Sequence, residues 1–168
     1  MTDKMRIILP LLCLCAFLCF VSTRHLLLDV LLKDAVRTNN LQLTGKLLGW
    51  GANVNVIVDD NLDSTALIFA SLYGYKDMVE MLLRNGAAVN RSDRNGSTAL
   101  IGSAWAGNAD VIRILLKNEA NLNARHNNGR TALWFALTQH HKEAVNILKD
   151  YGTRDLGNGE SLQGSGGR

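Results

Sequence analysis

The residues able to do chemistry are few, and their spacing argues against it. His140 and His141 are adjacent, so on a helix they point to different sides and cannot share a metal ion, while His25 and His126 stand alone. The three cysteines, Cys13, Cys15 and Cys19, all lie in the apolar run "LLCLCAFLCFV". That excludes an intrachain disulfide or a cysteine metal cage in the rest of the chain. Within the run they read as small apolar residues of a leader. Asp59, Asp60 and Asp63 cluster, but D-D-N-L-D lacks the ligand spacing of an EF-hand and reads as a solvated loop. There is no G-x-S-x-G elbow, no H-E-x-x-H pair, and no glycine-rich phosphate loop of either common kind. The expectation is a protein without catalytic residues, cofactor or metal. Two N-x-[ST] triplets, at Asn90 and Asn95, have meaning only in a eukaryotic secretory pathway.

Charge and composition narrow the class further. The net charge of +3 on 168 residues, without a polybasic run, is too small to argue for nucleic acid. Charged residues make up 20% and hydrophobic residues 47%, which is ordinary for a folded chain. The single proline, Pro10, sits near the start. Lys4 and Arg6 precede an uncharged run at 7–23, and Arg24 follows it. A helix of that length spans roughly 25 Å, short for a ~30 Å hydrocarbon core. The segment 1–23 is therefore expected to be an export signal, making the protein periplasmic or secreted, with an uncleaved membrane anchor as the alternative. Val21-Ser22-Thr23 is a poor small-residue cleavage site, and basic charge on both flanks specifies an anchor's orientation only weakly.

The elements that hold these residues repeat. "STALIFASLYG" at 64–74 returns as "STALIGSAWAG" at 97–107, and Thr65-Ala66-Leu67 recurs at Thr98 and Thr131, a period of 33. Downstream, "VEMLLRNGAAVN" at 79–90 matches "IRILLKNEANLN" at 112–123, and "GKLLGWGANVN" at 45–55 matches 80–90 at an offset of 35. Each unit reads mechanically. Threonine caps a short helix whose apolar stripe is Leu67/Ala70, Leu100/Ser103 or Leu133/Ala136. Gly74 and Gly107 stop it in the left-handed conformation. A second helix carries Val79/Leu82/Leu83 or Ile112/Leu115/Leu116. Asn95-Gly96 and Asn128-Gly129 are turn dipeptides. One such unit cannot bury its stripe alone, whereas stacked units can.

At this point the chain resembles the ankyrin-repeat family, whose signature contains T-P-L-H-x-A at period 33. "TALIFA", "TALIGS", "TALWFA", "LLRNGAAVN", "LLKNEANLN" and "LLGWGANVN" carry the resemblance. It implies an all-α solenoid of helix-turn-helix units with short β-hairpin or turn fingers. The units fall at 27–57, 58–92, 93–125 and 126–154, in a domain at 24–156, followed by a Gly/Ser-rich tail at 157–168 expected to be disordered. The first unit lacks the threonine phrase and reads as an N-terminal cap. The fourth has Lys149 and Asp150 where the second has Leu83 and Arg84, which suits a C-terminal cap with a wet outer face. Signature proline is replaced by Ala66, Ala99 and Ala132, and signature histidine by Ile68, Ile101 and Trp134, so a Thr–His bond between units cannot form. Glu119 and His140 stand where the motif has a helix-ending glycine. Asn90 matches the asparagine whose amide braces the family's inter-repeat loop, and a glycan there would conflict with that role.

The resemblance also implies function: binding of a protein partner, without catalysis, by a chain expected to be monomeric. The contacts expected are the hairpin tips and the concave inner-helix face. On this sequence they map to Asn61, Leu62, Ser64, Leu72 and Tyr73, then Ser92, Arg94, Asn95, Ser97, Trp105 and Ala106, then Arg125, Asn127, Asn128, Arg130, Thr138 and Gln139. Leu72, Tyr73 and Trp105 should form an apolar centre and Arg94, Arg125 and Arg130 a basic side, with the Asp59/Asp60/Asp63 loop at the opposite end of the tips. An acidic or mixed protein surface is the expected partner. Trp50, just before Gly51, is expected in core or cap packing. A membrane would be touched only through 7–23, if uncleaved.

Overall fold

The computed structural model describes residues 25–158. The expected leader at 1–23 lies outside them, as does all but the start of the expected tail, since the last helix reaches Asn158. Helix α1 covers 25–37. After it come α2 (Leu41–Gly49), strands β1 (Ile57–Asp59) and β2 (Ser64–Thr65), α3 (Ala66–Leu72), α4 (Lys76–Arg84), α5 (Ala99–Ala106), α6 (Ala109–Lys117), α7 (Ala132–Thr138) and α8 (Lys142–Asn158). The helices form antiparallel pairs. Inner helices α3, α5 and α7 pack in a row, and outer helices α4, α6 and α8 pack in a second row behind them. This is the all-α stacked solenoid that the repeat implied.

Each pair is built by the residues that recur. Thr65 and Thr98 accept hydrogen bonds from the backbone N–H of Ile68 and Ile101, both at 3.3 Å, capping α3 and α5. Thr131 sits at the same place in α7 but makes no such bond, so the third threonine keeps its position without the cap. Leu67, Leu82, Leu100 and Leu115 are all but completely buried. Burial of each leucine contributes about 1.5–3 kcal/mol, which is what the stack offers that an isolated pair cannot. Gly74 and Gly107 take left-handed φ values of 72° and 76°, as a helix-ending glycine should. Glu119 and His140 take that conformation too, with φ of 62° and 60°, at a steric cost of about 1 kcal/mol each.

The fingers weaken along the stack. The first is a true antiparallel hairpin pairing β1 with β2. The second keeps one bridge, Ser92 with Thr98, and the third is a turn closed by the His126 N–H donating to the Arg130 carbonyl at 2.9 Å. Side-chain amides brace one unit to the next. Asn55 Oδ1 accepts from the Ala88 N–H at 2.8 Å, and Asn90 Oδ1 accepts from the Asn121 N–H at 2.7 Å. Asn90 Nδ2 also donates to the Glu119 carbonyl at 3.1 Å. In the first unit the same backbone position, the Asn53 N–H, is taken by Asp29 of its own α1 at 2.8 Å. Asp29 therefore replaces the brace that a preceding unit would supply and closes that end of the stack.

Two expectations about packing need correction. Trp50 is 57% exposed rather than packed in the core or cap. The outer face of the fourth unit is also only half wet. Lys149 and Asp150 are exposed on α8, but Trp134 and Leu137 are exposed on α7, with no further helix against them among the described residues. Among the described residues no helix is long and apolar enough to cross a membrane.

Candidate protein-binding groove

The phrase at 64–74 and its copies place a position of α3, α5 and α7 side by side: Phe69, Gly102 and Phe135. The flanking units have phenylalanine there and the middle unit has hydrogen. A side chain begun at Gly102 would lie in ordinary van der Waals contact with Leu72 at 3.7 Å and with the Ile68 carbonyl oxygen at 3.9 Å, so the glycine lets α3 and α5 pack closely at the floor of a cleft. The result is a groove of about 390 Å³ along the inner helices. Ile68, Leu72, Ile101, Trp105 and Phe135 form its apolar wall, Leu62 reaches in from the first finger, and Ser64, Asp93, Asn95, Ser97 and His126 line the finger side. Trp105 is 51% exposed at the edge, so it does not fill space between units.

The expected contact residues divide. Leu62, Ser64, Leu72, Asn95, Ser97 and Trp105 share the groove. Tyr73, 57% exposed, does not line it: its ring lies 4.5 Å from Phe69 and 5.8 Å from Tyr75, making a separate aromatic group at the end of α3. Asn127 is occupied as a brace, its Nδ2 donating to the Arg94 carbonyl at 2.8 Å and its N–H to the Asn95 carbonyl at 2.9 Å. Asn61 offers its carbonyl to Arg94 at 3.2 Å.

The expected basic side is also redrawn. The acidic loop forms the first finger, at the end of the row opposite Arg125 and Arg130, but it is not separate from the basic residues. Arg94 grips Asp63 with Nε at 2.5 Å and Nη2 at 3.1 Å, so two neighbouring fingers are clamped together and the charge of Arg94 is met. Asp93, on the groove wall, uses Oδ1 to accept the N–H groups of Asn95 and Ser97, both at 2.8 Å, and so shapes the finger. Arg125 donates to the Gly129 carbonyl at 2.8 Å. Arg130 lies 3.7 Å over the Trp134 ring, a cation–π contact that holds it flat against α7. On the third finger Arg125 and Arg130 are both exposed and meet a carbonyl and a ring face instead of a carboxylate.

Among the described residues no group of three or more His, Cys, Asp or Glu could hold a metal ion. His141, far from acting as a ligand, donates its Nε2–H to the Trp105 carbonyl at 3.1 Å and ends α5. Asn108 does the same one unit earlier, donating to the Ser71 and Leu72 carbonyls, both at 2.9 Å. Sequence reasoning missed Ile68, Asp93, Ile101, Gly102, His126 and Phe135 as groove residues. The change of residue type across Phe69, Gly102 and Phe135 at period 33 was a signal that could have found Gly102 and Phe135.

Comparison with known proteins gives a consistent picture. A family model described as "Ankyrin repeats (3 copies)" matches residues 32–126 and again 92–158. The ARF GTPase-activating protein Git of Drosophila melanogaster is similar to part of the chain, 44% identical over 65 residues. That match covers 39% of this chain and only 9% of the length of that relative. Family match, period and stacked helix pairs agree, and the chain belongs to the ankyrin-repeat family.

Proposed function

We propose that this protein is a non-catalytic interaction module whose groove receives a large apolar side chain of a protein partner in the cleft over Gly102. The ankyrin-repeat family is in general one of protein-binding modules, and this reading specifies where and how. The observation that carries it is the apolar cleft over Gly102, walled by Ile68, Leu72, Ile101, Trp105 and Phe135. Leu62, Leu72 and Trp105 supply the apolar contact, with Trp105 as the anchor, since exposed tryptophan beside a pocket is where interface energy concentrates. Asn95 adds a polar rim, and Arg125 and Arg130 favour acidic groups on the partner's flank. Tyr73, Asn61 and Asn127 contribute position more than contact, and Arg94 contributes the clamp to Asp63. We read the protein as a monomer that binds no nucleic acid, exported across a membrane or held at one by 7–23.

A random-peptide display selection on the full chain tests the groove. It should enrich sequences centred on Trp, Phe, Leu or Met. Gly102→Leu, which adds a side chain to the floor of the cleft, should abolish that enrichment while circular dichroism stays helical, and Trp105→Ala should weaken it at least tenfold. Enrichment that survives Gly102→Leu would show that the partner binds elsewhere.

A further inference from the structure

Half of the large exposed apolar side chains gather around the start of the described chain. Leu26, Leu27, Val30 and Leu31 are 68%, 59%, 47% and 39% exposed on the first two turns of α1. Trp50 joins them from the end of α2. A side chain built on the adjacent Gly51 would come within 3.9 Å of the His25 ring, so the end of α2 lies against the first residue of α1. The opposite face of α1 buries Leu28, Leu32, Ala35 and Val36 in the core, so this surface is a second apolar face on one helix. It is confined to one end. Farther along α1 the outward positions are Lys33, Asp34 and Arg37, with Lys33 held to Asp60 at 2.9 Å.

A preceding repeat is not what this face awaits, because Asp29 already bonds the Asn53 N–H that such a unit would hold. The sequence supplies the occupant. The apolar face starts two residues after the uncharged run at 7–23, with only Arg24 and His25 between. An apolar segment, then arginine, then a helix with one exposed apolar face and a tryptophan beside it, is the order in which a chain leaves hydrocarbon and meets lipid headgroups. Tryptophan is enriched at that boundary, arginine extends its charge outward, and an amphipathic helix lies in its plane.

We propose that the first two turns of α1, together with Trp50, rest on the surface of a phospholipid bilayer, seating the repeat stack against the membrane by its first unit. The inference rests on the anchored reading of 7–23 and adds to it a docking face in the folded domain. The groove, which begins with residues of the second unit, then stands farther along the stack from the lipid.

The test uses the full chain reconstituted with phosphatidylcholine vesicles whose acyl chains carry bromine, a contact quencher of indole fluorescence. The wild type should float with the vesicles and lose part of its tryptophan emission. Trp50→Phe should float equally but show no quenching, because Trp105 and Trp134 belong to later units. The quadruple variant L26N/L27N/V30N/L31N removes exposed side chains only and should stay folded. It should float through 7–23 yet lose most of the Trp50 quenching. A wild-type chain that floats without Trp50 quenching would overturn the docking face and leave the anchor standing, the face then being covered by 7–23 or by a second copy, or facing water. A chain that does not float would overturn both.

Discussion

Single residues explain why the repeat tolerates its departures from the family pattern. Glu119 holds a left-handed φ of 62° where glycine would be unstrained, yet its carbonyl still receives the Asn90 brace. Glu119→Gly should therefore stabilise the fold by up to about 1 kcal/mol, read as a higher urea midpoint with unchanged slope. No change in midpoint would mean that the freedom gained by glycine in the unfolded chain cancels the relief. Asp60 illustrates a surface effect. The hydrogen bond from Lys33, then its charge, lowers the Asp60 pKa below the ordinary 3.8. A lowered folded-state value means the pair favours the native state above the ordinary pKa, and that this contribution is lost as pH falls through the lowered one. Lys33→Met should bring the Asp60 carboxyl titration, followed by NMR, back up toward 3.8. An unmoved titration would place the cause elsewhere.

At the scale of elements, helix pairs provide the mass and asparagines provide the register. Asn90 makes two bonds across one junction, to the Asn121 N–H and the Glu119 carbonyl. Asn90→Ala should cost about 1–2 kcal/mol, the net worth of two such bonds. It should raise hydrogen exchange at Asn121 first, because the acceptor of that N–H is lost. Equal protection at Asn121 in the variant would show that the brace is redundant. Finger order follows a similar logic. Arg94 clamps onto Asp63 because its own backbone N–H donates to the Leu62 carbonyl at 2.8 Å, which brings consecutive tips into side-chain reach. The helix elements were legible from period and caps: Thr before Ala-Leu, glycine after. The tip contacts were not, because Asp63 and Arg94 lie in different units and only the stacking distance makes them partners.

For the whole molecule, the two ends of the stack differ. Asp29 stands in for a preceding unit's asparagine, whereas Asn123, at the position of Asn55 and Asn90, has no following finger to hold among the described residues. Removing Asp29 should cost roughly 1 kcal/mol, while Asn123→Ala should stay within about 0.5 kcal/mol of wild type. Comparable losses from both, in chemical denaturation of the full chain, would show that Asn123 also has work to do. The sequence by itself determined the architecture. A period of 33, with capping threonines, terminal glycines and leucines at helical spacing, admits only units that bury their stripes against one another. Tertiary structure decided which of the variable residues face each other. It set the groove over Gly102 between Leu72, Trp105 and Phe135, left Trp105 and Trp50 exposed, and turned Arg94 from a free cation into a clamp. The physical reason is that local pattern sets which face of a helix is apolar. Whether an apolar or charged side chain is covered depends on the neighbour that stacking brings within a few ångströms.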